Sequence, residues 1–271
     1  MEKVINLGIP HVGEEIFESI NTQDLFKCLE VSETWKVLAE NVLTKRKGVM
    51  LEACKSGETK VVQLLLERCN SEESGLNIKD RYKTTPFMWA CQNGHKDVVK
   101  LLLDHEEPRI DLNAKNWVGS TAFCIACKSG HIDVVQLLLD HSDRNIDFNA
   151  KSCDRTPLSW ACGNGHKDVV KLLLYHPNSN IEFTRGYSRR TALMYACKGG
   201  HKDVVQLLLD HSNANVELNV KDSVGNTALM HACKNGHKDV VKLLLDHSDF
   251  KQIEKVTLIC TFSRKPIRDR T

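Results

Sequence analysis

Residues 196–211 read ACKGGHKDVVQLLLDH, and close copies of that phrase recur along most of the 271-residue chain. The Ala-Cys pair stands at Ala53-Cys54, Ala90-Cys91, Ala126-Cys127, Ala161-Cys162, Ala196-Cys197 and Ala232-Cys233, in steps of 37, 36, 35, 35 and 36 residues. The glycines Gly57, Gly94, Gly130, Gly165, Gly200 and Gly236 keep the same steps. A period held this closely predicts a solenoid, in which each module hides its apolar face against its neighbours.

Each copy opens with a threonine. Thr85-Pro86 and Thr156-Pro157 place a hydroxyl at the helix N-cap and a proline at the first helical position, where its missing N–H costs nothing. Thr121, Thr191 and Thr227 keep the cap, with alanine after it. The first helix runs to Asn93-Gly94 and its equivalents, glycine being suited to the left-handed residue that ends a helix. A second helix starts near Asp97 and carries Val98, Val99, Leu101, Leu102 and Leu103 as a broad apolar stripe. Lys96, Asp97, Lys100 and Asp104 take the remaining arc. Neither helix is long enough to persist alone in water, so stacking must supply the stability. Between copies, alternation at Ile110/Leu112, Ile146/Phe148, Ile181/Phe183 and Val216/Leu218 predicts an extended arm leading into a turn, hence a hairpin followed by two antiparallel helices.

The pattern from Asp222 to Leu245, D-x-x-G-x-T-A-L-x-x-A-C-x-x-G-H-x-D-V-V-x-L-L-L, resembles the ankyrin repeat. The resemblance implies an α-rich ankyrin stack over residues 48–250 in six repeats: 48–79, 80–115, 116–151, 152–185, 186–221 and 222–250. It departs from the family at Met88, Cys124, Ser159, Met194 and Met230, which replace the histidine of T-P-L-H. The first copy also lacks the T-P-L start and has Glu58 where histidine would follow Gly57.

The repeated thiols and imidazoles could be zinc ligands, but zinc needs about four donors converging at roughly 2.0–2.3 Å. Equivalent atoms in stacked helices lie about 8–10 Å apart, and each module offers one such Cys and one such His. Disulfides fail for the same reason. Cysteine is therefore expected as small apolar filler, and His95, His131, His166, His201 and His237 as caps of the helix turn bonded to backbone. His105, His141, His176, His211 and His247 suit the negative end of the second helix. No metal or cofactor is expected.

Residues 8–47 do not follow the repeat. Ile9-Pro10, Ile16-Phe17, Ile20, Asp24-Leu25, Val31 and Trp35 resemble the F-box motif, L-P-x-E-x-x-x-x-I-L … D-L-L … V-C-x-x-W. Ile9 stands for Leu, Ser32 for Cys, and one residue is missing between Pro10 and Ile16. The resemblance implies a small three-helix F-box-like domain. Pro10, Ile16, Phe17, Ile20, Leu25, Val31 and Trp35 would contact a Skp-type adaptor of a cullin–RING ubiquitin ligase. Alternatively the same helices only cap the stack.

Within the repeats, the positions that vary while the frame stays fixed are the expected concave recognition face: Arg81, Tyr82, Gln92, Asn93, Trp117, Val118, Lys128, Asp154, Arg155, Tyr187, Arg189, Arg190, Lys198 and Lys234. Its aromatic and arginine content suits an acidic-aromatic peptide, although aromatic tips could instead pack on one another. Net charge is +2, from 37 basic and 35 acidic residues, which offers no broad field for nucleic acid or membrane. The chain opens without the apolar core of a signal peptide, and its 11 cysteines are an odd number, so a reducing cytoplasmic or nuclear home is expected. No catalytic constellation stands out. The expectation is a monomeric, non-enzymatic adaptor for an unknown protein substrate: a substrate receptor of an F-box-type ligase, or else an ankyrin scaffold without a ubiquitin role. The basic tail 251–271 contains VTLICTF (256–262), which could cap the last repeat or be disordered or aberrantly spliced.

Overall fold

A computed structural model describes residues 20–29, 33–45, 48–68, 75–105, 110–141, 145–177, 181, 187–211 and 218–247. They form fourteen helices: α1 (Thr22–Cys28), α2 (Glu33–Lys45), α3 (Val49–Ser56), α4 (Thr59–Arg68), α5 (Pro86–Asn93), α6 (Lys96–Asp104), α7 (Ala122–Ser129), α8 (Ile132–Asp140), α9 (Pro157–Asn164), α10 (Lys167–Tyr175), α11 (Ala192–Gly199), α12 (Lys202–Asp210), α13 (Ala228–Lys234) and α14 (Lys238–Asp246). The chain divides into two compact units, residues 1–153 with 176–180, and residues 154–175 with 181–271.

In the first unit the inner helices α3, α5 and α7 pack side by side, and the outer helices α4, α6 and α8 form a second layer against them. The second unit repeats this arrangement with α9, α11 and α13 inside and α10, α12 and α14 outside. The layers meet over the repeated apolar stripe. Val98, Val99, Leu102 and Leu103 are buried, as are Val204, Val205 and Leu208, each burial contributing roughly 1.5–3 kcal/mol. Alanine and cysteine stand where helices approach most closely: Cys54, Cys91, Cys127, Cys162 and Cys197 are wholly buried, and none forms a disulfide.

The threonine caps are as expected. Thr85, Thr121, Thr156, Thr191 and Thr227 each accept the backbone N–H three residues on, at 3.2–3.3 Å. Such a cap contributes about 1 kcal/mol.

The turns close as expected, the N–H groups of Asp80, Asn116 and Asp222 donating to the Thr84, Ser120 and Asn226 carbonyls at 2.9–3.1 Å. The hairpin arms do not build strands among the described residues, where only Ser152 and Arg155 make isolated bridge pairings. Side chains take the ladder's donors instead. Asp80 Oδ1 accepts from the N–H groups of Tyr82 and Thr84, and Asn116 Oδ1 and Asp222 Oδ1 repeat that pair of bonds at their own turns. The arms are also knit by asparagine: Asn113 Nδ2 donates to the Asn145 carbonyl while its Oδ1 accepts from Asp147 N–H.

Of the three-helix F-box-like domain expected over residues 8–47, residues 8–19, 30–32 and 46–47 lie outside the described residues. Among the described residues α1 and α2 pair with each other, and α2 lies against α4 as one outer helix lies against the next. Gln23 of α1 reaches Glu52 and Ser56 of α3. Two helices this short cannot cover Leu25, Phe26, Ala39 and Leu43 without a neighbour to pack on.

Candidate functional site

Successive turns present their tips on one edge of each unit, and the backbone fixes their spacing. In the first unit Trp117 N–H donates to the Tyr82 carbonyl at 3.0 Å, and Cys153 N–H to the Val118 carbonyl at 3.3 Å. In the second, Ser223 N–H donates to the Ser188 carbonyl at 2.9 Å. The same tip position needs a left-handed backbone in each of the five described turns. Glycine supplies it at Gly119 and Gly225, but Lys83 (φ 58°), Asp154 (φ 66°) and Arg189 (φ 53°) supply it elsewhere.

On the first unit's tips Arg81, Tyr82 and Trp117 come together. The Arg81 guanidinium lies 4.6 Å from the Tyr82 ring centre, and Tyr82 meets Trp117 edge-on at 6.1 Å. Trp117 is 65% exposed and Tyr82 48%, with Val118 beside them also exposed. Gln92, Asn93 and Lys128 are exposed at the ends of the inner helices. Asn93 donates to the Lys55 carbonyl, and the Lys55 ammonium lies 4.8 Å from the Trp89 ring centre.

On the second unit Tyr187 is almost fully exposed, at 98%. Arg155 is held between Trp160 and Tyr195, 4.3 Å from each ring centre. Arg190 Nε donates to Asp222 Oδ2 at 3.2 Å, and His231 Nε2 donates to the same oxygen at 3.0 Å. Burial would raise the Asp222 pKa, but the N–H groups of Asn226 and Val224 together with His231 and Arg190 outweigh it and hold the carboxyl well below its usual range. Burial pushes the His231 imidazole down, against the pull of Asp222. His231 is therefore a neutral Nε2–H donor. Trp89 plays the same part in the first unit, its indole N–H donating to Asp80 Oδ2 at 3.1 Å.

Asp154 is a framework residue in this arrangement: its carboxylate accepts the N–H groups of Tyr187 and Ser188. Lys234 reaches Asn226, while Arg189 and Lys198 extend from the surface. Of the N-terminal positions, Leu25 is completely buried and Ile20 half-buried. Pro10, Ile16, Phe17 and Val31 and the Trp35 side chain lie outside the described residues, as does the tail 248–271.

The first histidine set bonds to backbone, but across modules rather than within its own turn. His95 Nε2 donates to the Lys55 carbonyl, His131 to Gln92, His201 to Gly163 and His237 to Lys198, at 2.8–3.0 Å. Each ring lies over a glycine of the preceding module, so that a Cβ added at Gly57 or Gly94 would come within 2.6 or 2.5 Å of Nδ1. In the second set, His141 Nδ1 donates to its own helix at the Leu137 carbonyl and His211 Nε2 to the preceding outer helix at Leu174. Among the described residues, no group of three or more His, Cys, Asp or Glu is placed to hold a metal. The thiols are also poor ligands and nucleophiles: burial pushes Cys54, Cys91, Cys127 and Cys162 far up, and Cys124 and Cys197 up to about 12.

Paired helices with a turn at each junction, a cross-module His–Gly seat and an edge of variable tips define a helical repeat protein that displays a binding surface. The family profile of ankyrin repeats, in three copies, matches residues 21–116, 108–185 and 177–255, and the chain belongs to that family. Osteoclast-stimulating factor 1 of Danio rerio is 39% identical over 64 residues, which are 24% of this chain and 27% of that protein. A putative ankyrin repeat protein of Acanthamoeba polyphaga mimivirus is 31% identical over 58 residues, 21% of this chain and 44% of that one. The chain thus spans about a quarter of the osteoclast-stimulating factor it matches. The crystal structure of EF0377, an ankyrin repeat protein, is similar with a TM-score of 0.62 at 25% identity, covering 75% of this chain and 99% of that one. No described helix is long and apolar enough to cross a membrane.

Proposed function

We propose that this chain is a non-catalytic protein-binding scaffold whose recognition surface is the row of turn tips and inner-helix ends. The observation that carries the reading is the Arg81–Tyr82–Trp117 cluster. A tryptophan left 65% exposed, braced edge-on by a tyrosine that an arginine covers, adds nothing to the core. It has instead the composition of an interface anchor. The test compares Trp117→Ala and Tyr187→Ala with the parent protein in capture of partners by cross-linking. Partners should be lost by roughly ten-fold or more while thermal unfolding stays within about 0.5 kcal/mol. Unchanged capture with lowered stability would make these tips framework and end the proposal.

A second reading adds a ubiquitin role, with residues 8–47 recruiting a Skp-type adaptor and cullin. Its support is the spacing from Ile9-Pro10 to Trp35. Co-purification with a Skp-type adaptor, abolished by Trp35→Ala, is its test. Failure of the parent chain to bind the adaptor removes it and leaves the scaffold reading standing.

A further inference from the structure

In the second unit charge is sorted between the layers. On the outer helices α10, α12 and α14, five aspartates (Asp168, Asp203, Asp210, Asp239 and Asp246) balance five lysines. On the described turns and inner helices, residues 154–164, 187–199 and 218–234, the carboxylates are Asp154 and Asp222 alone. Both are engaged by neighbouring groups. Asp154 caps the Tyr187 and Ser188 N–H groups, and Asp222 is buried with Arg190 and His231. The same stretches carry Arg155, Arg189, Arg190, Lys198, Lys221 and Lys234.

Three of these cations are already held in place. Arg155 is clasped by two aromatic rings, Arg190 is tied to Asp222, and Lys234 is bonded to Asn226. Ordering a long side chain before its partner arrives reduces the entropy lost on binding.

We propose that the inner face of the second unit binds an acidic polypeptide segment, its carboxylates meeting Arg155, Arg189, Lys198 and Lys234 beside the exposed Tyr187. This rests on the scaffold reading and names the chemistry of its partner. Acidic peptide is favoured over nucleic acid because, among the described residues, this face offers one exposed ring, Tyr187, rather than a row of stacking platforms, Trp160 and Tyr195 being turned to Arg155.

The test uses the whole chain and three fluorescein-labelled probes by anisotropy: a ten-residue Glu-rich peptide ending in Tyr, a Lys-rich peptide of the same length, and oligo-dT of ten nucleotides. The Glu-rich peptide should bind, and more weakly as salt rises. Arg189→Ser with Lys234→Ala should weaken it roughly ten-fold, from about two- to five-fold per exposed cation. Lys202→Ala with Lys238→Ala on the outer helices should not. Arg189→Lys should restore most of the loss in the Lys234 parent. Tighter binding of oligo-dT, equal binding of both peptides, or equal losses from the inner and outer pairs each overturn the proposal. No binding of the Glu-rich peptide, with Trp117-dependent capture of partners intact, sinks this inference alone and spares the scaffold reading.

Discussion

Gly94→Ala would act on two things at once. The backbone there has φ +75°, and an added Cβ would meet His131 Nδ1 at 2.5 Å and the ring carbons Cε1 and Cγ at 2.8 Å. The left-handed backbone alone costs an alanine roughly 1–2 kcal/mol relative to glycine. The ring must also move, giving up its 2.8 Å bond to the Gln92 carbonyl, which is about 1 kcal/mol. Local overpacking adds about another 1 kcal/mol. The expected total is about 3–4 kcal/mol. His131→Ala alone should cost about 1–2 kcal/mol, through the lost bond and the emptied space over the glycine. The double variant separates the causes: once the imidazole is gone, Gly94→Ala should cost only its backbone share. Urea unfolding followed by far-UV circular dichroism on the four proteins of the cycle gives the coupling directly. The two substitutions should be less than additive by about 1–2 kcal/mol. Additivity within about 0.3 kcal/mol would refute the seat, leaving backbone conformation as the whole effect.

Four further outcomes follow from the turns and the thiols. Lys83→Gly relieves a left-handed lysine (φ 58°) at the position where Gly119 and Gly225 stand in other copies, and should stabilise by about 0.5–1 kcal/mol in urea unfolding. Asp222→Asn leaves Arg190 or His231 unmatched and should cost about 2–3 kcal/mol at neutral pH. The parent protein should lose stability as pH falls below 6.5, because burial holds His231 below that value and the unfolded chain takes up the proton first. It should lose more below 3.8, where the depressed Asp222 favours the folded state less and less, and that second loss should shrink in Asp222→Asn. Native protein treated with a thiol reagent should label Cys153, which is exposed, before Cys54, Cys91, Cys127, Cys162 and Cys197, read by peptide mass spectrometry.

The helix pairs were legible because their causes are local. A Thr cap, a Gly stop and the Val-Val-x-Leu-Leu stripe lie within one module, and repetition displays them again and again. The histidines were half legible: hydrogen bonding to backbone follows from their position beside a helix start. The acceptor, however, lies about 40 residues back, as with His95 and Lys55, and no window of sequence spans that distance. The arms were legible only as far as the turns they lead into. Alternation such as Ile146/Phe148 marks burial on one side of an extended chain, yet the donors that would make strands are taken by Asp80, Asn116 and Asp222. Among the tips, Trp117 and Tyr187 are exposed, whereas Asp154, which nothing in the sequence sets apart from them, turns its carboxylate to the Tyr187 and Ser188 N–H groups.

The imidazole-on-glycine seat gives the array a direction. A module brings its own key, and the lock it fits belongs to the module before it. At the trailing side of α13, none of the described residues lies within 4 Å of the place a Cβ on Gly236 would occupy. Trimming from the leading side strands an imidazole that has lost both its carbonyl and its platform, so shortening this protein from its two ends should not be equally harmless.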